Sequence, residues 1–227
     1  MFTDFILSPI FLLFLIAISF YVQWKVTYVI RKYHKKVNSV DITGYELAKK
    51  MLHTHGISNV QVISGQGRWV TDFYDPIKKR VNLSPEVYSG KSISSIAIAA
   101  HEIGHAIQHA EGYYPMKVRN LTYPVAQLGS WMGPILLIIG IFMQLNNIFM
   151  IGIYFYAAAV LFTVLNLPVE FDASRRAKAY LLNNGLVNSE EKTMVTKLLS
   201  AAAMTYVIAA LIAIIQLLRM IMFSNRN

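Results

Sequence analysis

Ser92-Ile93-Ser94-Ser95-Ile96-Ala97-Ile98-Ala99-Ala100-His101-Glu102-Ile103-Gly104-His105-Ala106-Ile107-Gln108-His109 combines alanines with apolar residues at helical spacing. Residues four apart share one face of a helix, so His101 and His105 can bind one cation together, with Glu102 beside them. That spacing is the H-E-x-x-H arrangement, in which two imidazoles hold zinc and the Glu takes a proton from the water that attacks a carbonyl. Histidines on an ordinary core or surface helix are the alternative, but three specified residues coincide by chance at roughly 10⁻⁵ per starting position. Gly104 costs about 1 kcal/mol against Ala inside a helix, which points to close approach of another element.

A catalytic zinc keeps three protein ligands and one open position, so a third ligand is required. His109 lies one further turn along the same helix, where three histidines would form a line rather than converge, and it reads as a helix-face or supporting residue. No histidine follows it, and the downstream carboxylates are Glu111, Glu170, Asp172, Glu190 and Glu191. Glu111 is too near in sequence to fold back. Glu190 and Glu191 follow Asn188-Ser189 as first-turn acids of a capped helix. Glu170 is left, an acid among apolar residues at the base of a hydrophobic segment, where an unpaired carboxylate is expensive. Asp172 is expected to point elsewhere, about 200° around a helix from Glu170, whereas Ser174 shares the Glu170 face.

Outward from the motif, the chain has the composition of an integral membrane protein: 227 residues, 55% hydrophobic, mean hydropathy +0.44. Four stretches, about 5–22, 123–143, 148–167 and 201–218, are long and apolar enough to span a bilayer. Cysteine is absent, which excludes disulfides and thiolate metal sites. The net charge of +9 has a membrane explanation, because all Lys and Arg except Arg219 and Arg226 fall between the first and second or the third and fourth spans. If those segments face the cytosol, the positive-inside rule is met with both termini outside, and the basic residues suit anionic lipid. No aromatic-interleaved basic motif argues for nucleic acid.

The first span follows Asp4 and precedes Lys25, Arg31, Lys32, Lys35 and Lys36, the pattern of a retained N-out helix rather than a secretion signal. From Asp41 a soluble α+β unit is expected: a helix over 45–55 closed by Gly56, a strand at Val60-Gln61-Val62-Ile63, turns at Gly65-Gln66-Gly67 and around Asp72 to Pro76, and a strand at Arg80-Val81-Asn82-Leu83-Ser84. Val81, Asn82 and Leu83 read as an edge strand able to hold an extended substrate peptide. Two spans then return the chain to the side it left, so Glu170 emerges on the same face as His101 and His105. Pro168 reads as a helix start and Gly185 as the end of that helix.

His101-Glu102-Ile103-Gly104-His105-Ala106-Ile107-Gln108 and Asn166-Leu167-Pro168-Val169-Glu170-Phe171-Asp172-Ala173-Ser174 resemble the YugP-type neutral zinc metallopeptidases of bacterial membranes, over essentially the whole chain. The resemblance implies a gluzincin-like metallopeptidase of the bacterial plasma membrane with Glu102 catalytic and one zinc ion on His101, His105 and Glu170; location near the bilayer, not the resemblance, points to a peptide or membrane-protein substrate. The resemblance also implies the fold class: an α-helical integral membrane protein of about four transmembrane helices with a small α+β zincin-like soluble unit. The expected organisation is an N-terminal anchor (1–36), a zincin-like unit (37–120), a transmembrane hairpin (121–167), an acidic-ligand helix with its connection (168–198), and a C-terminal transmembrane helix (199–227). The sequence is similar also to the CAAX-protease and heat-shock-protease families, which carry an Asp one turn after the Glu to support a zinc histidine. Here that position is Ser174, so the support falls to Ser174 or, with irregular backbone, to Asp172. A two-His-plus-Glu set favours zinc but accepts cobalt, manganese or iron. The alternative in another class is a zinc-binding membrane assembly protein without chemistry, whose site would be closed by four protein ligands.

Overall fold

The computed structural model describes residues 8–66 and 71–224. Seven helices and three strands follow one another among them: α1 (Pro9–His34), α2 (Gly44–Thr54), β1 (Gln61–Ser64), β2 (Phe73–Asp75), β3 (Arg80–Leu83), α3 (Pro85–Tyr88), α4 (Ile93–Ala110), α5 (Tyr114–Phe142), α6 (Asn146–Asn183) and α7 (Ser189–Ser224). Helices α1, α5, α6 and α7 are long and apolar enough to cross a membrane. The chain divides into two units, one of Met1–Gln23, Lys117–Leu167 and Thr205–Asn227, the other of Trp24–Met116 and Pro168–Met204.

The first unit is held by helices that turn large apolar side chains outward, such as Leu121 and Trp131 on α5. That is the pattern of a surface facing lipid rather than water. Between α5 and α6 the contact is made by glycines. A Cβ on Gly129 would meet the Phe155 carbonyl, and one on Gly140 would meet the Phe149 backbone. Small residues at such crossings let two helix backbones approach closely without a hydrophobic driving force.

In the second unit α4 is the core. Ile93, Ile96, Ala97, Ala99, Ala100, Ile103, Ala106 and Ile107 are all buried, joined by Leu47 and Met51 from α2, Val81 and Leu83 from β3, Leu181 from α6 and Leu198 from α7. Local signals set the ends of these elements. Thr43 and Glu46 form a reciprocal capping box for α2, and Ser92 accepts from the Ser95 N–H at the start of α4. Asn188 and Glu191 cap α7 in the same reciprocal way, and Glu191 also accepts from the Ser39 N–H and hydroxyl.

Two expectations are corrected. Strand β3 is central, not an edge: the order is β1-β3-β2, parallel to β1 and antiparallel to β2. Val81 and Leu83 are buried in the core, and the Asn82 amide donates to the Thr71 carbonyl on the approach to β2. Asn82 therefore serves a contact within the sheet, and the residues around Asp72 expected as a turn include β2. The hairpin turn lies instead at Pro76–Lys79, where the Asp75 carboxylate accepts from the Ile77 and Lys78 N–H groups. The second correction concerns Pro168, which does not begin a helix but lies inside the continuous α6. Long helices of membrane proteins tolerate an internal proline because neighbouring groups and local adjustment satisfy the freed carbonyl.

Gly104 marks where α4 meets α6: a Cβ there would sit 2.8 Å from the Ala173 carbonyl oxygen and 3.2 Å from its Cα. An alanine gains about 1 kcal/mol of helix propensity, which offsets part of a clash costing about 1–3 kcal/mol. Gly104→Val has no such gain and adds two methyl groups. Its thermal unfolding midpoint is expected to fall clearly below wild type, with Gly104→Ala much nearer; equal midpoints for Val and wild type would contradict the close approach.

Candidate metal centre

Because α4 and α6 touch at Gly104 and Ala173, the residues one turn either side of that point face each other. His101 and His105 come from α4 and Glu170 from α6, and one potential ligand atom from each lies within 4.8 Å of the others. The Glu170 Oε2 is 3.3 Å from His101 Nε2 and 3.7 Å from His105 Nε2. The two imidazoles stand edge to face, at 82° between planes. Both Nε2 atoms therefore aim at one carboxylate oxygen. Glu170 is 4% exposed, and a carboxylate removed from water to that degree needs cationic or hydrogen-bonding partners. Two imidazoles and a carboxylate are a donor set suited to zinc.

The outward nitrogen of each histidine is also engaged. Ser174 Oγ lies 3.2 Å from His101 Nδ1, and Gln108 Oε1 lies 3.0 Å from His105 Nδ1. Ser174 was one of two expected supports for a histidine, and Asp172 was the other. Asp172 reaches the centre indirectly, accepting from the Gln108 amide at 2.9 Å, and both its oxygens are bound by the Arg175 and Arg176 guanidiniums. Gln108 escaped the reading of the sequence as a supporting residue, although its place three residues after His105 on the same helix was a usable signal.

Glu102 is buried beside His101 and lies close to the sheet. Burial pushes its carboxyl up to about 7; His101 pulls against this, Glu170 and Asp72 add to the rise, and a hydrogen bond from the Tyr74 backbone N–H opposes it. His109 is not part of the cluster. Its Nδ1 bonds the Tyr74 hydroxyl at 2.8 Å, and burial followed by the Lys79 charge lowers its proton affinity. It faces a separate cavity of about 490 Å³ lined also by His55 and Lys79. Val81, Asn82 and Leu83 make no hydrogen bond to the cluster among the contacts of the described residues. Arg176 spans the two helices, bonding Asp172 on α6 and Glu111 at the end of α4.

With this geometry in place, the whole chain can be set beside known proteins. Residues 8–225 match the family described as "Putative neutral zinc metallopeptidase". The chain belongs to that zinc metallopeptidase family. It is also 42% identical over 207 residues to the "Putative membrane protease YugP" of Bacillus subtilis (strain 168), covering 91% of this chain and 92% of that protein. No solved structure matches the chain. The family implies zinc, and the cluster of His101, His105 and Glu170 offers donors that fit it.

If the three donors share one ion, each should be indispensable. His101→Ala, His105→Ala and Glu170→Ala are each expected to weaken zinc uptake by the purified protein by more than the roughly 10–100-fold typical of outer-sphere changes. Competition with a chromophoric chelator measures this, and retention of wild-type affinity by any of the three would remove that residue from the centre.

Proposed function

We propose that this chain is a membrane-embedded zinc endopeptidase of zincin-like, gluzincin type, acting on peptides or membrane proteins at the cytosolic membrane surface. The observation that carries the reading is the convergence of His101, His105 and Glu170 with the buried Glu102 next in sequence to one of them. Zinc bound there would supply Lewis acidity toward a carbonyl and acidify a water. Glu102 receives the proton of the attacking water and passes it to the leaving amine, so that peptide and water become a carboxylic acid and an amine. A carboxyl raised to about 7 by burial suits both halves of that transfer near neutral pH. Ser174 and Gln108 orient the imidazoles from behind.

A purely structural zinc site is closed by four protein ligands, whereas the cluster among the described residues offers three. That favours hydrolysis over a non-catalytic assembly role. The cytosolic assignment rests on charge: basic residues crowd the segments between the first and second and between the third and fourth spans. An even number of crossings between His105 and Glu170 keeps both on one side of the bilayer.

Two experiments test this. Glu102→Gln should retain zinc and lose about 10²–10⁴-fold in cleavage of a peptide library, in line with general acid–base contributions; undiminished turnover would remove Glu102 from the role. The absence of cysteine in the native chain makes single-cysteine topology mapping clean. In intact cells a membrane-impermeant maleimide should label Asn147→Cys, in the first turn of α6, and leave Ser89→Cys unlabelled. The reverse pattern would place the centre outside.

A further inference from the structure

We propose that Gln108 is a positioning residue that sets which nitrogen of His105 carries the proton, leaving Nε2 bare toward the metal. The inference rests on the zinc reading above and goes beyond it. Gln108 is 0% exposed, on α4 one turn past His105. Its Nε2 lies 2.8 Å from the Val169 carbonyl and 2.9 Å from Asp172 Oδ2, and its Oε1 lies 3.0 Å from His105 Nδ1. A carboxamide has one end that only donates and one that only accepts. The Val169 carbonyl has no hydrogen to give. Asp172 is held as a carboxylate by Arg176 Nε at 2.5 Å and by the Arg175 guanidinium, so it too only accepts.

The amide nitrogen must therefore face Val169 and Asp172, and the oxygen must face His105. Reversing the amide would set its oxygen against two others in a buried place, with lost hydrogen bonds at about 1–3 kcal/mol per unsatisfied group. An oxygen opposite Nδ1 requires that Nδ1 carry the hydrogen. A neutral imidazole has one N–H, so Nε2 keeps its lone pair, and Nε2 is the atom 3.7 Å from Glu170 Oε2.

Ser174 imposes nothing comparable on His101, because a hydroxyl can either donate to Nδ1 or accept from it. The two histidines are thus held on different terms: His105 is committed to one tautomer, and His101 is oriented without being committed. The support for His105 continues outward. Arg176 also bonds Glu111 at 2.6 Å, so a line of donor-to-acceptor contacts runs from the end of α4 through Arg176, Asp172 and Gln108 to the imidazole.

The test uses the full chain purified in detergent, with zinc affinity read by chelator competition. Gln108→Leu keeps the shape but neither donates nor accepts, and it is expected to weaken zinc binding about 10–100-fold. Gln108→Glu, whose protonated carboxyl can donate to Asp172 and accept from His105, should recover most of that loss. In metal-free wild type labelled with ¹⁵N-histidine, where no metal dictates the tautomer, His105 should carry its proton on Nδ1, and Gln108→Leu should lose that preference. Zinc affinity of Gln108→Leu within about twofold of wild type, equal losses in the Leu and Glu variants, or an unprotonated His105 Nδ1 in wild type would each overturn the assignment, the last without relying on any variant to fold. His101→Ala separates the two readings. If it leaves zinc uptake unchanged, the zinc reading falls and takes this one with it; if it abolishes uptake while Gln108→Leu changes nothing, only the role of Gln108 falls.

Discussion

The contact between the Gly104 backbone and Ala173 is the constraint on which the centre depends. His101 and His105 stand three residues before and one after Gly104; Glu170 and Ser174 stand at the same offsets from Ala173. Equal offsets about one crossing point place two matched stripes opposite each other, so the three candidate ligands and Ser174 are brought together by a single approach of two helices. Any side chain at 104 separates the stripes. A shift of one ångström matters little to a hydrophobic contact but a great deal to groups that must share one ion.

Burial of so many polar groups would destabilise the unit if they were unmatched. Glu102, His105, Gln108, Glu170 and Asp172 are all buried, within a core otherwise built from Ile, Leu, Val and Ala. Asp172 is matched by two guanidiniums and an amide, and Gln108 by two acceptors and an imidazole. Glu102 answers in another way: with burial as its main influence it holds its proton more tightly. Asp172 and Gln108 thus form a satisfied network beside a carboxyl whose hold on its proton is raised by burial, which is consistent with a chemical role.

What could be read from the sequence follows the range of the forces involved. The motif helix, the capping of α7 at Asn188 and the close approach at Gly104 were legible because each depends on neighbours within a turn or on the chemistry of one residue. Glu170 emerged by elimination, since the other carboxylates had local explanations. The centrality of β3 was not legible, because a four-residue strand of alternating polar and apolar residues looks the same at an edge as in the middle, and only tertiary pairing distinguishes them. Pro168 followed a sound local rule that a long apolar helix overrode. The link from Gln108 to Asp172 depended on which atoms a second helix brings near, information that spacing along one helix does not contain.

The choice between Ser174 and Asp172 as the supporting residue dissolves because the two histidines need different support. Residues i and i+4 on α6 place Glu170 and Ser174 on the same stripe, so the hydroxyl meets the first histidine of the motif. Asp172 lies well round the helix from that stripe and cannot reach an imidazole directly, yet Gln108 extends from α4 to meet it and carries the connection to the second histidine. A carboxylate at position 174 would have served His101 alone. With serine there, the charge sits at Asp172 instead, where Arg175 and Arg176 neutralise it and where Arg176 also grips Glu111 on α4. The carboxylate of Asp172 thus stands one residue removed from the cluster, and the orientation of His105 is tied to the same ion pairs that join the two helices.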